Sequence, residues 1–406
     1  MRRRRLIVAV LLSLALLLPV APGSTHPQAS PPAAGPSSAE VLFDWQVTAL
    51  RTVYTENASP IPVGILYLGF TSVAVYEAVT KAQHRDASKE AAVAVAAHDV
   101  LAEYFPTSAA NLAADLQASL SGIPDGSAKE RGMEIGAKAA ARMIDDRADD
   151  GRGDPKYVYE RDEKAGVWQP TTLPFLAPWL GFVDPLEVKR RVHLDGPDPI
   201  WSRAYAFDFQ EVKRVGIAGT TPHRTEEQDL IAVFFNTNPP IMYGNALIAA
   251  LGEAPMSLRK TSLLFARMHT AMTDTIIQCW WQKIHEGFWR PFQGIQGADG
   301  DHNPATVADP DWEPLIPNPP YPDYTSGHAC VTSSAMEVIR RTLGETTELT
   351  LDSANSDTDL TYTTLSELEF DAFHARIWGG LHFRDAMEDG YYLGHTIAKR
   401  VMHELR

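Results

Sequence analysis

Cysteine is nearly absent from this 406-residue chain: Cys279 and Cys330 are the whole complement, too few for a disulfide scaffold. The chain also lacks basic clusters beyond its first residues. Its formal net charge is −15, which argues against a nucleic-acid partner. There is no Gly-rich phosphate loop, no internal repeat and no sustained apolar/polar alternation, so P-loop, solenoid and sheet architectures lack support. After the N-terminus no apolar run looks long enough to cross a bilayer, and the mature chain is expected to have no stable membrane span. The two cysteines read as buried free thiols, although both flank the residues discussed below and export could pair them.

What is present begins with an address. Arg2 to Arg5 form a basic region, residues 6–20 an apolar run broken at Pro19, and Ala21-Pro22-Gly23 a small-residue cleavage signature. Residues 1–23 are therefore expected to be a signal peptide, giving a secreted, extracytoplasmic protein. Loss of the four arginines leaves 32 basic against 51 acidic residues, a mature charge near −19. Residues 24–38, rich in Pro, Ala and Ser, read as a flexible leader.

Apolar residues then recur at helical spacing over 40–54, 65–82, 90–104, 108–120 and 127–148, which predicts a helical bundle with alanine-rich contacts. Residues 149–216 change character, with Pro, Gly, Trp and charge, and read as a long loop wrapped on the scaffold. Helical pattern returns at 225–236, 258–285, 329–343, 365–377 and 384–405, interrupted by a Pro/Gly/Asp-rich stretch at 291–324. The expectation is an all-α (mainly α) protein. Residues 39–215 would form an N-terminal bundle and loop region, and 216–406 a C-terminal helical domain. The aspartates of 352–359 lack the glycine and closing glutamate of a calcium loop and read as a solvated turn.

Three stretches carry chemistry. In Pro319-Pro320-Tyr321-Pro322-Asp323-Tyr324-Thr325-Ser326-Gly327-His328, a stiff approach delivers a hydroxyl, a glycine amide and an imidazole to a helix N-terminus, where an anion is favoured. Lys283 and Arg290 lie two helical turns apart, just before the helix-ending Pro291. Arg376 precedes Gly379-Gly380 and His382 stands before the last helix. Lysine, two arginines, a hydroxyl, an amide and two histidines suit a tetrahedral oxyanion. One imidazole could attack or ligate the central atom while the other moves protons.

At these positions the chain resembles the superfamily of vanadium-dependent haloperoxidases and type 2 phosphatidic-acid-phosphatase-like acid phosphatases. That superfamily shares Lys-x6-Arg-Pro, Ser-Gly-His and Arg-x5-His in this order. Gly166-Val167-Trp168-Gln169-Pro170-Thr171, Asn303-Pro304-Ala305-Thr306 and residues 319–324 are similar to bacterial haloperoxidases. The resemblance implies two packed helical bundles with long Pro/Gly-rich loops. It implies that Lys283, Arg290, Arg376, Ser326 and Gly327 bind vanadate or phosphate, that His382 ligates vanadium or attacks phosphorus, and that His328 is the acid–base. Trp280 and Tyr321 would line the halide side. As a haloperoxidase the protein would need vanadate and use peroxide with a halide or an organic acceptor. As a phosphatase it would need no cofactor and would cleave a phosphomonoester through a phosphohistidine. A degenerate anion-binding protein is a third reading, and oligomerisation is left open. Three departures stand out: Ala375 for serine, Thr325 for proline, and Ala386 where an acid follows the last histidine by four residues. Asp385 is the candidate substitute for that acid.

Overall fold

Helical periodicity and well-placed caps build the molecule. The computed structural model describes residues 38–406; the expected signal peptide lies outside the described residues. The N-terminal helices are α1 (Ser38–Leu50), α2 (Ile61–Gln83), α3 (Lys89–Tyr104), α4 (Ala109–Ser121) and α5 (Ser127–Asp146). Ser88 caps α3 by accepting from Ala91 N, satisfying one of the free donors of the first turn. Ala91, Ala92, Ala94, Ala96 and Ala97 are all buried. Gly136 of α5 faces them so closely that a Cβ there would lie 2.7 Å from Ala92 O. The alanine-rich expectation thus becomes near backbone-to-backbone packing of α3 on α5.

After the long loop come α6 (Arg203–Val215), α7 (Glu226–Phe234), α8 (Pro239–Glu253), α9 (Leu258–Glu286), α10 (Pro291–Gln296) and α11 (Gly327–Leu343). The chain closes with a hairpin, β1 (Leu349–Leu351) and β2 (Leu360–Tyr362), then α12 (Leu365–Trp378) and α13 (Arg384–Glu404). The fold is mainly helical, as expected. Three helices were not read from sequence, the short α10 among them. In α6, Tyr205, Ala206, Phe209 and Val212 face the core, but the flanking Pro, Trp and charge masked this stripe. In α8, Asn238 caps a helix with proline at its first positions, a start signal hidden behind the Pro-Pro pair. The hairpin is a further correction: Leu349 pairs with Tyr362 and Leu351 with Leu360, and three-residue strands are too short to show alternation. The turn between them, 352–359, holds the three aspartates.

α9, 29 residues long, is the axis of the fold. It packs on α2 towards the N-terminal helices, and on α11 and α13 towards the C-terminal ones. The long loop is fastened to it. The buried Asp274 carboxylate accepts from Leu186, Glu187 and Val188 N at 2.6, 2.9 and 2.7 Å, and Gln278 accepts from Val192 N at 2.9 Å. The membrane expectation needs one correction. Ile61–Gln83 is apolar and long enough to cross a bilayer, but 78% of its most apolar window is buried, and α3, α5 and α9 all pack on it.

A buried cationic cluster as candidate active site

Lys283 stands in the last turn of α9, which Gly287 ends with φ of +59°. The lysine is fully buried and its ammonium donates to the carbonyls of Pro322 (2.7 Å) and Asp323 (3.0 Å). Burial lowers it to about 8. Arg290, also fully buried, precedes α10. Its Nε donates to Tyr321 O at 2.9 Å and its Nη1 to Leu381 O at 2.8 Å. Arg376 occupies the last turn of α12, and burial lowers it to about 10. The 166–169 segment braces this region: Trp168 N donates to Gly287 O (2.8 Å) and Trp289 N to Gly166 O (3.1 Å).

The Ser-Gly-His stretch meets α11 as its cap. Ser326 Oγ accepts from Ala329 N at 3.3 Å, so the helix begins at Gly327, two residues earlier than the pattern suggested. A hydroxyl that accepts at a cap keeps its own proton for donation. A Cβ at Gly327 would lie 3.3 Å from the Trp280 ring, which leaves little room for any other residue there. Trp280 and Tyr321 pack with ring centroids 4.9 Å apart. Lys283 Nζ lies 5.0 Å and the Arg290 guanidinium 5.0 Å from the Tyr321 ring centroid. Both aromatics therefore wall the cationic cluster.

His382 is the meeting point. Its Nε2 lies 3.0 Å from Arg290 Nη1, and its Nδ1 lies 2.7 Å from Asp323 Oδ1. The second contact is close but bent, and neither atom is in a well-aligned hydrogen bond. Burial drives the imidazole far below its usual range, and Arg290, Lys283, Arg376 and His328 add to the effect. Burial likewise holds His328 well down, helped by Arg376 and opposed by a hydrogen bond to the Thr237 backbone. The His328 Nε2 has no protein partner. Both rings are thus neutral at physiological pH and keep a lone pair available.

Residues 263–406 match the family described as VCPO second helical-bundle domain. A vanadium chloroperoxidase of Curvularia inaequalis is 38% identical over 90 residues, which is 19% of this chain and 14% of that protein. In three dimensions the chain is similar to a bacterial vanadium-dependent iodoperoxidase, with TM-score 0.72 at 19% identity over 93% of this chain and 99% of the other. A bacterial vanadium-dependent chloroperoxidase in its apo form gives TM-score 0.69 at 14% identity over 85% and 93%. Residues 263–406 thus carry the VCPO second helical-bundle domain, and the fold of the chain is similar to that of bacterial vanadium-dependent haloperoxidases.

The cluster suits a tetrahedral oxyanion. Lys283, Arg290 and Arg376 share the cluster with one buried acid, Asp323, which burial raises to about 7, so positive charge is in excess there. Arg290 Nη2 and Arg376 Nε are buried without a protein acceptor, a costly state that a tetrahedral oxyanion relieves. A cleft of about 690 Å3 lined by Glu77, Asp146, Arg147, Glu187, Lys189 and Arg191 shares no residue with the cluster.

The candidate acid Asp385 is not beside His382. Its carboxylate accepts from Asp198 N at 3.0 Å, and its own N–H donates to Asp208 at 2.8 Å. The acid at the imidazole is Asp323, from the loop that delivers Ser326. Its signal in the sequence was a lone aspartate in an otherwise uncharged run. Nothing in the sequence marks the other partners, the Phe235 carbonyl 3.5 Å from Arg376 Nη1 and the Thr237 backbone at His328. Cys279 and Cys330 are free and buried, packed around Thr325: Cys279 Sγ donates to its carbonyl at 3.4 Å.

Proposed function

We propose that the protein is a secreted haloperoxidase-like oxidoreductase that depends on vanadate. The observation that carries this reading is the His382 Nε2 lone pair, buried against three cationic side chains in a chain with the haloperoxidase fold. Lys283, Arg290 and Arg376 would hold the oxyanion with the Ser326 hydroxyl and the Gly327 amide, and His382 Nε2 would be its protein ligand. When bound, vanadate supplies a Lewis-acidic centre that takes up hydrogen peroxide and lets it oxidise a halide or an organic acceptor.

The chain's own residues do the rest. The three cations neutralise charge on the oxyanion and need no reorganisation, because carbonyls of the 321–323 loop and of Leu381 already fix Lys283 and Arg290. His328, neutral with a free Nε2, accepts a proton from the incoming peroxide and returns it to the leaving oxygen. Trp280 and Tyr321 exclude water from the side on which halide would approach.

The same set of donors suits phosphate, so the test has two arms. Purified protein is assayed with vanadate, hydrogen peroxide and bromide, and separately with a chromogenic phosphomonoester in the absence of vanadate. Vanadate-dependent bromination supports the proposal. Phosphate release without bromination replaces it with the phosphatase reading, and silence in both arms leaves an anion-binding protein.

A further inference from the structure

We infer that Asp323 is the positioning carboxylate of His382, taking the place of the missing acid at Ala386. It keeps the ring proton on Nδ1 and so leaves the Nε2 lone pair facing the oxyanion site. The inference rests on the reading of His382 as the residue that meets the central atom.

Acids of α13 do not supply this contact. Ala386 has no polar group, and Asp385 is engaged with Asp198 and Asp208. Asp389 accepts from the Tyr324 hydroxyl. Asp323, by contrast, is fully buried with Oδ1 2.7 Å from His382 Nδ1. Its backbone is pinned at both ends: its N–H donates to Phe288 O at 2.9 Å, and its carbonyl receives the Lys283 ammonium at 3.0 Å. The backbone that carries the carboxylate is therefore tied to Phe288 and to the last turn of α9.

A second contact favours the same tautomer. A guanidinium has donors and no acceptor, so Arg290 Nη1, 3.0 Å from His382 Nε2, requires Nε2 to carry the lone pair. The proton of a neutral ring then sits on Nδ1, facing Asp323. Asp323 Oδ1 also lies 3.9 Å from Arg290 Nη1. One carboxylate thus orients the imidazole and offsets the arginine that shares its other nitrogen. The Ser-Gly-His loop and the Arg-x5-His segment, distant in sequence, are coupled through this residue.

The test compares wild type with Asp323→Ala and Asp323→Asn, with circular dichroism confirming the fold. Histidine-selective 15N NMR, assigned with His382→Ala, reads the tautomer, and titration with vanadate and with inorganic phosphate reads binding. In Asp323→Ala the His382 signals should leave the single Nδ1-protonated form. Affinity for both anions should fall about tenfold to a hundredfold, the usual effect of removing an orienting partner. If Asp323→Ala does not fold, Asp323→Asn keeps the volume, removes the charge and should still weaken both anions by about tenfold. An unchanged tautomer with vanadate affinity within about twofold of wild type in the folded variant overturns the inference. Neither readout needs turnover. A wild type that binds vanadate but oxidises no bromide, with the tautomer shift present in the variant, sinks the haloperoxidase proposal and upholds the role of Asp323.

Discussion

His269 and His382 are equally buried, each 1% exposed. His269 lies within α9, where its Nδ1 is 2.8 Å from Ser72 Oγ and Gln46 Nε2 is 3.4 Å from the same hydroxyl. Burial alone lowers it to about 3. Around His382 the same burial acts, but three cations, a carboxylate and a second histidine act with it. Burial thus makes both rings neutral, and only the charged company distinguishes a candidate active site from an ordinary core residue. A serine beside a histidine is not enough: the Ser72–His269 pair has no counter-charge to stabilise an anion and no donors aimed at one.

The sharpest way to break this comparison is to truncate each ring. His382→Ala should reduce bromide oxidation by at least about a thousandfold, as expected when one member of a jointly acting set is lost. His269→Ala should leave the rate within about threefold but lower stability by about 1–3 kcal/mol, from a lost hydrogen bond and a cavity. Steady-state assays and urea unfolding of the two variants decide it. The opposite pattern would overturn the assignment.

Arginine geometry offers the next contrast. Arg290→Lys and Arg376→Lys keep the charge but lose the planar fork, and each should weaken vanadate binding by about tenfold or more in a competition titration. Equal affinity would mean that charge alone holds the anion.

Gly136→Ala sharpens the contrast from the N-terminal side. The added Cβ would meet Ala92 O at 2.7 Å and Val95 Cβ at 2.9 Å, so thermal unfolding should show a loss of about 1–3 kcal/mol. The activity should not change, because no cluster residue touches this contact.

The smallest effect concerns pH. Burial raises Asp208 and Asp385, each to about 7 from an ordinary 3.8. The native state therefore binds these protons more tightly than the unfolded chain. Their contribution to stability is full below the unfolded value, declines as pH rises from about 4 to about 7, and is flat above. The Asp208→Asn/Asp385→Asn double variant removes both titrations and keeps oxygens able to accept. Its Tm relative to wild type should climb by a few degrees over that interval; a constant difference would refute the linkage.

Much of the candidate site was legible because its residues belong to short local patterns. Lys283 and Arg290 flank a helix end, Ser326 is a cap and Gly327 a tight contact, so chemistry and local structure mark the same positions. The helices α6 and α8 were missed because proline and charge at their edges outweighed a short apolar stripe. The reading that no apolar run is long enough to cross a bilayer failed at α2 for a related reason: an apolar helix buried on most sides has the composition of a membrane span.

By itself the sequence determined the helical class, the inventory of cations, hydroxyl and imidazoles, and their order along the chain. All of these follow from residue type and spacing within a few turns. Only the tertiary structure decided which carboxylate stands at His382. Asp385 is three residues away in the chain, yet it points to α6 and the loop before it, whereas Asp323, 59 residues away, is brought to 2.7 Å. Helix direction dictates the one and loop closure onto α9 the other, and neither is encoded in any stretch short enough to read as a motif.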